Sequence, residues 1–548
     1  MTADAGEQDG GVRRPGEQPA GEGGPANGAP TIWVLADDLI WASRLDHLVR
    51  GAGARPVLLR SAEALDDPPA RGRSGVAAVV DLAARGYDAR AAIRRISAQG
   101  VPVAAVGRHD DPEARRAARD AGAAVVYAYG ALAGGAARGF ETWVREVVMS
   151  RSGDGRPAGI PADRYGVRLA AARDALRSGD ASALLVGVGA DLRWLTGYEA
   201  MNLERLTLLV LPRDGDPVLV APRLEAPRAS LAPAVAAGLV PIVTWEETED
   251  AVALVPGLVG SRTVVAGAPS GAAASRGRLL VSDRLWASFL IRLQAAFPGT
   301  PFGLASEVLR ALRMAKDADE IALLRAAAHA ADRVVLAIAA GSLVGRTEAD
   351  VAREVRERLL DEGHEVAAFA IVGSGPNSAS PHHEASERRI AAGEPVVLDI
   401  GGAYGGYGSD TTRTLWVSGE AGIGPDPEFL RLYEVLRRAQ EAATAAVAPG
   451  VPAERVDRVG RDVIEQAGFG AAFNHRIGHG IGLEEHEDPY LVAGNAEPLR
   501  PGHAFSVEPG IYLEGRFGAR IEDIVVCGET GPDVLNEVRR DLWTVRGV

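Results

Sequence analysis

The sequence predicts a multidomain chain of mixed class, α/β units first and an α+β unit last. Three observations predict it. A chain of 548 residues is long for one domain, and three domains is the ordinary expectation. Between residues 31 and 148, short apolar strands alternate with helical patterns, as in a parallel sheet covered by helices. After about residue 300, long helical patterns come first and strands follow, which reads as α+β.

Taken in order, residues 1–30 are rich in Gly, Pro, Glu and Ala and have little to bury, so a disordered tail is expected. The strand TIWVLADDL ends at Asp37 and Asp38. A helix over 40–52 and the strand RPVLLRS follow, and then GVAAVVDLA, a strand ending at Asp81. A helix over 89–99, the strand VPVAAVG, a helix over 112–121 and AAVVYAYG complete a five-stranded flavodoxin-like unit at 31–148. This unit resembles the receiver domain of response regulators. Asp37 and Asp38 match the acidic pair after the first strand, and Asp81 matches the phosphoacceptor after the third. The likeness then departs, because the fourth strand ends in Gly107 and VVYAYG lacks the family's lysine. The expectation is a degenerate receiver-type scaffold used for packing or dimerisation, with phosphorylation at Asp81 as the alternative.

Residues 149–163 read as a linker of Gly, Pro, Ser and charge. A second α/β domain is expected at 164–297, with a hairpin pivoting on Asp214-Gly215-Asp216 and a strand at VVAGAPSG. The α+β domain is expected at 298–548. Its helices run over 306–340, 347–363, 427–448 and 453–468, and its strands begin with AFAIVGSGPN.

Composition narrows the function. A net charge of -14 lacks the basic footprint that nucleic acid or an anionic membrane needs as main partner. The single cysteine, Cys527, allows neither an internal disulfide nor a Cys-based zinc site. There is no signal-peptide h-region and no apolar run of spanning length, so a cytoplasmic protein is expected, with no membrane association.

Only ten histidines occur in the chain, yet three lie in HRIGHGIGLEEHEDPY, at His475, His479 and His486. Either they are satisfied singly or they converge on one centre. The same domain places carboxylates inside apolar strands: Asp399 in VVLDI, Asp410 at the start of the returning strand, Glu508 in AFSVEPGIYL and Glu522 in GARIEDIVV. An unpaired carboxylate in such a setting costs several kcal/mol and requires a cation or strong donors. Neighbouring carboxylates also repel unless a metal or a proton lies between them. Four carboxylates with one imidazole suit a pair of hard or borderline divalent ions.

The set Asp399, Asp410, His479, Glu508 and Glu522, with SDTTRT, GHGIGL and EPGIY around it, resembles the dinuclear site of the M24 metallopeptidases, the prolidase and aminopeptidase P group. The resemblance covers about 164–548. It implies a creatinase-type N-terminal α/β domain followed by a catalytic domain of the pita-bread fold. It further implies that Asp399 chelates one ion, that His479 and Glu508 hold the other, and that Asp410 and Glu522 bridge both. Manganese is the first expectation, with cobalt, zinc or iron as alternatives. His382, His475 and His486 match histidines that bind the scissile peptide and move a proton, and Arg520 matches an arginine that orients the carboxylates. His383 is read as a bystander. The implied reaction is hydrolysis of Xaa-Pro bonds at peptide N-termini through a metal-bridging water, with Glu508 as proton shuttle, by an enzyme that forms a homodimer. Proline-containing peptides or dipeptides are the expected substrates. Tyr490 stands where strict dipeptidases often carry arginine, which leans towards longer peptides. Two alternatives stay open: hydrolysis of a small non-peptide amide, as in ectoine-type hydrolases, and non-catalytic peptide binding.

Overall fold

The computed structural model describes residues 31–52, 54–61, 77–97, 101–132, 140, 143–144, 159–259 and 277–546. The tail expected at 1–30, most of the 149–163 linker and the VVAGAPSG strand lie outside them. The chain divides between residues 156 and 157 into two compact units.

The first unit is a parallel sheet of β1 (Thr31–Leu35), β2 (Arg55–Leu59), β3 (Ala77–Asp81), β4 (Val103–Gly107) and β5 (Val125–Ala128). Its order is β2-β1-β3-β4-β5. That is a doubly wound order, reversing at the first strand. β3 and β4 are buried along their whole length, because helices lie on both faces. The three predicted acids are each committed within the unit. Asp38 caps the helix Leu39–Gly51 by accepting from the Ile40 and Trp41 amides. Asp37 accepts from the amides of Arg85 and Gly86 at 2.7 and 2.6 Å. Asp81 accepts from the Tyr129 hydroxyl and from the Ala83 amide.

The second unit begins with a mixed sheet. Its strands are β6 (Ala181–Gly187), β7 (Leu208–Pro212), β8 (Val218–Pro222), β9 (Ile242–Trp245), β10 (Arg278–Val281) and β11 (Phe302–Leu304), in the order β11-β10-β6-β7-β8-β9. The predicted hairpin is the antiparallel pair β7/β8. The single helical pattern expected over 306–340 is two helices, Ser306–Met314 and Ala318–Ala340. The break arises because Asp317 and Glu320 form a capping box that starts a new helix.

The remaining strands are β12 (Val366–Ser374), β13 (Glu394–Tyr404), β14 (Tyr407–Val417), β15 (Gly478–Gly480), β16 (Glu487–Leu491), β17 (Ala504–Val507), β18 (Gly510–Leu513), β19 (Phe517–Arg520), β20 (Asp523–Cys527), β21 (Pro532–Val534) and β22 (Trp543–Val545). They form one sheet in the order β12-β13-β14-β22, a second in the order β16-β15-β17-β20-β21, and the ribbon β18-β19. Helices Ala318–Ala340 and Glu348–Asp361 bury Val334, Val335, Val351 and Val355 against the first sheet. Helices Pro427–Ala445 and Ala453–Gln466 bury Leu432, Leu436, Val456 and Ile464 against the second. The two sheets meet at a bridge between Thr412 of β14 and Glu522. Among the described residues no helix is long and apolar enough to cross a membrane.

Candidate metal centre

The β13/β14 hairpin explains two of the carboxylates. Asp399 pairs with Thr412, and Gly401 pairs with Asp410. With side chains alternating along each strand, Asp399 and Asp410 share one face as diagonal neighbours. Glu508 and Glu522 are not inside strands, contrary to the expectation. Glu508 sits between β17 and β18, where Pro509 has no amide to continue a ladder, and Glu522 sits between β19 and β20. At both points the chain passes from one sheet to another. The backbone there is held across sheets instead: the Glu508 amide donates to the Ile477 carbonyl at 2.8 Å and the Glu522 amide to the Thr412 carbonyl at 3.1 Å.

His479 lies on the short strand β15. The flanking glycines serve close approach. A Cβ on Gly478 would lie 2.0 Å from the Ser506 carbonyl oxygen, and one on Gly480 2.2 Å from that of Asp488. Neither glycine has a positive φ, so close approach alone accounts for them.

Ligating atoms of Asp410, His479 and Glu522 lie within 4.8 Å of one another, all on buried residues. His479 Nε2 is 3.5 Å from Asp410 Oδ2 and 3.3 Å from Glu508 Oε1. Its Nδ1 lies 3.1 Å from the Gly480 carbonyl, which can only accept, so Nδ1 carries the proton and the Nε2 lone pair faces the carboxylates. Asp399 joins through Arg520, whose guanidinium pairs with its Oδ2. Arg520 also donates from Nε to Thr412 Oγ1 at 3.1 Å, and Thr412 in turn donates to Glu522 Oε2 at 2.6 Å.

The electrostatics are those of crowded anions. Burial pushes Asp410 well up, reinforced by Glu522, Asp399 and Glu508. Burial and the charges of Glu508 and Asp399 push Glu522 well up. Burial raises Glu508 to about 7 against the lowering pull of Arg520. Asp399 Oδ1 and Glu522 Oε1 are buried without a hydrogen-bond partner. Unpaired buried carboxylate oxygens facing like charges are what a divalent cation would relieve, so the residues present fit a metal.

The predicted histidines surround this cluster. The His486 ring lies 4.0 Å from that of His479, centroid to centroid. His475 Nε2 is 3.1 Å from the Tyr512 hydroxyl, and burial lowers its pKa to about 4. His382 lies on an exposed strap within electrostatic reach of His475 and His486. Two cavities adjoin them. One of about 490 Å³ is lined by His382, His383, Phe369, Ile371 and Arg356. The other, of about 280 Å³, is lined by His486, Tyr490, Arg313, Asp191 and Glu484.

Sequence reasoning misses four residues here. Thr412 and Tyr512 lie inside the recognised segments SDTTRT and EPGIY, so a signal was present. Tyr512 accepts from Arg520 at 2.8 Å. Glu485, next to His486, is raised by burial and by Asp399. The guanidinium of Arg476 lies 4.7 Å from the centroid of the Tyr490 ring.

Residues 322–529 match the family model of metallopeptidase family M24, and residues 168–315 match that of the creatinase/prolidase N-terminal domain. The "Probable dipeptidase PepE" of Mycobacterium tuberculosis is 45% identical over 385 residues, which are 70% of this chain and 97% of the relative. The crystal structure of dipeptidase PepE from Mycobacterium ulcerans is 44% identical, with a TM-score of 0.64, covering 71% of this chain and 100% of that one. The recombinant prolidase from Thermococcus sibiricus is 33% identical, with a TM-score of 0.61, covering 70% of this chain and 99% of that one.

Proposed function

The chain belongs to metallopeptidase family M24 and is a peptidase hydrolase; from that premise we propose that it cleaves Xaa-Pro dipeptides with two divalent ions, manganese foremost, at Asp399, Asp410, His479, Glu508 and Glu522. The observation that carries the reading is the convergence of Asp410, His479 and Glu522, with Glu508 3.3 Å from His479 and with buried oxygens of Asp399 and Glu522 left unpaired.

When bound, such ions would polarise the scissile carbonyl and make a water nucleophilic near neutral pH. The chain's own residues do the rest. Glu508, whose Oε1 accepts from the Ser506 hydroxyl at 3.2 Å and lies 3.3 Å from His479 Nε2, is a carboxylate placed to take the water proton and pass it to the leaving imino nitrogen. His475, at about 4, is uncharged at neutral pH; its Nδ1 donates to the Arg476 carbonyl at 2.7 Å, so its Nε2 accepts from the Tyr512 hydroxyl at 3.1 Å and orients that group beside Arg520. Arg520 holds Asp399, Thr412 and Tyr512 in one array, so the carboxylates keep their orientation as charge develops. Phe369 and Ile371, paired with Gly401 and Asp399 across β12/β13, offer an apolar wall for a proline ring.

Arg476 favours dipeptides. Tyr490 lacks a positive charge, but Arg476 lies over its ring, and that charge is felt by His479, His486 and Glu508. A guanidinium so placed suits the carboxylate that ends a dipeptide one residue past the scissile bond. The relatives named as dipeptidases agree with this.

The test is hydrolysis of Ala-Pro, Ala-Pro-Ala and Ala-Ala-Ala by manganese-loaded protein, with Asp410→Ala as control. Cleavage of Ala-Pro above the others, lost in the variant, is expected. No cleavage of either proline peptide by metal-loaded protein would sink the reading.

A further inference from the structure

The strap that carries His382 is tied down on both sides. On one side Arg520 Nη1 donates to the Pro381 carbonyl at 3.2 Å, with the same guanidinium gripping Asp399. On the other side stands Glu348, the first residue of the helix Glu348–Asp361 and fully buried. Its Oε1 accepts from the Ser374 amide at 2.8 Å, the Ser374 hydroxyl at 2.7 Å and Asn377 Nδ2 at 3.1 Å. Its Oε2 accepts from Ser386, through the amide at 3.1 Å and the hydroxyl at 2.6 Å, and from His383 Nε2 at 2.7 Å.

A buried carboxylate with so many donors is an expensive way to hold a surface strap, since each donor must be brought to it. The donors come from the end of β12, the turn after it and the strap itself. Together they fix 374–386 around one point. These donors hold Glu348 ionised, with its pKa lowered to about 2 despite its burial, so the His383 nitrogen facing it must be the donor. Two consecutive histidines thus have opposite fates. His383 is turned inward to Glu348, while His382, the residue before it, is left exposed within electrostatic reach of His475 and His486.

We propose that His383 and Glu348 form a positioning pair that sets the place of His382 in the site. The inference rests on the reading of His382 as a substrate-facing group in peptide hydrolysis. His383 is then a positioning residue and touches no substrate.

The experiment compares wild type, His383→Leu, His383→Gln, His382→Ala and the double variant His382→Ala/His383→Leu, all manganese-loaded. The readouts are kcat and KM for Ala-Pro, Tm, and amide hydrogen exchange across 380–386. His383→Leu is expected to lower kcat/KM about tenfold or more, the scale of one lost hydrogen bond to a charged group. His383→Gln, which keeps a donor, should recover most of it. In the His382→Ala background the Leu substitution should cost nothing further, because a group that acts only through His382 has nothing left to place. Exchange in the strap should rise in His383→Leu and stay near wild type in His383→Gln. The proposal is overturned by equal losses in both backgrounds, by an unaltered rate or unaltered exchange in His383→Leu, or by a silent His382→Ala. Wild-type turnover of Ala-Pro tests the peptidase reading separately, and the exchange result stands whatever that rate is.

Discussion

Arg476 stacks on Tyr490 with its guanidinium carbon 4.7 Å from the ring centroid, within electrostatic reach of His486. The aromatic face attracts and orients the cation, leaving its N–H edge free to meet an anion. Arg476→Ala should therefore raise KM for Ala-Pro by about tenfold or more, the scale of a lost hydrogen bond to a charged group. The C-terminal amide of Ala-Pro, which has no carboxylate to grip, should be affected far less. Steady-state kinetics on the two substrates check this, and equal losses on both would show that Arg476 does not read the carboxylate.

Thr412 links the two sheets through chemistry as well as through backbone. It donates to Glu522 Oε2 at 2.6 Å and accepts from Arg520 Nε at 3.1 Å. Thr412→Val keeps the branched shape and removes both bonds. Metal affinity should fall by about 10–100-fold, the usual effect of losing a partner that orients a ligand. Competition with a calibrated chelator measures it. Unchanged affinity would mean that Arg520 alone holds the carboxylates in place.

The legible part of the site is the part that breaks a local rule. Asp399 stands out because a carboxylate amid Val, Leu and Ile has no business there without a partner, and His479 stands out between glycines. Glu508 and Glu522 were legible as residues but not as positions. Their place at the crossings between sheets follows from which strands pair, and strand pairing is not visible in periodicity. Arg476 and Glu348 were illegible for a related reason, and Tyr512, though inside EPGIY, was legible as a residue but not in its contacts. Tyr512 meets His475 from 37 residues away, and Arg520 reaches the Pro381 carbonyl from 139 away, so their roles exist only in the folded chain. The helix break at 315–317 had a local signal, Asp317 followed three residues on by Glu320, but the apolar pattern runs through it.

Stability should depend on pH in a way that metal reverses. Asp410, Glu522 and Glu508 are raised in the folded protein, Glu508 to about 7, so the fold holds protons that the unfolded chain releases near pH 4. Their contribution is present at low pH and is lost as pH rises through the folded values. His475 and His479 are lowered by burial, to about 4 and about 3, and act in the opposite sense: their contribution grows with pH until the unfolded value near 6.5 is passed. The two slopes oppose each other below about pH 6.5, and only the carboxylates remain above it. The Tm of chelator-treated protein should thus fall between about pH 6.5 and about pH 8. Manganese, which binds the deprotonated ligands, should abolish or invert the fall. Calorimetry with and without metal at several pH values tests this, and Asp410→Asn should flatten the metal-free curve. A metal-free Tm that rises across that window would contradict the assignment of raised carboxylates.

The first unit invites a different test. Asp81 stands at the end of β3, where the receiver likeness puts a phosphoacceptor, but its carboxylate accepts from the Tyr129 hydroxyl and the Ala83 amide and is almost fully buried. Asp37 and Asp38, the acidic pair of that likeness, are spent on the Arg85 and Gly86 amides and on a helix cap. An acyl phosphate on Asp81 would have to displace Tyr129 and place added negative charge beside Asp37 and Asp38, whose charges already raise Asp81. Acetyl phosphate should therefore leave Asp81 unlabelled, read by mass spectrometry after borohydride trapping. Tyr129→Phe, which uncaps the carboxylate, should not restore labelling, because the acidic pair stays committed. A chain lacking residues 1–156 should hydrolyse Ala-Pro with kcat/KM within about twofold of the full chain, since the unit is then a scaffold and not a switch. Stoichiometric labelling of Asp81 with a matching change in kcat/KM would overturn the scaffold reading and make the unit a regulator of the peptidase.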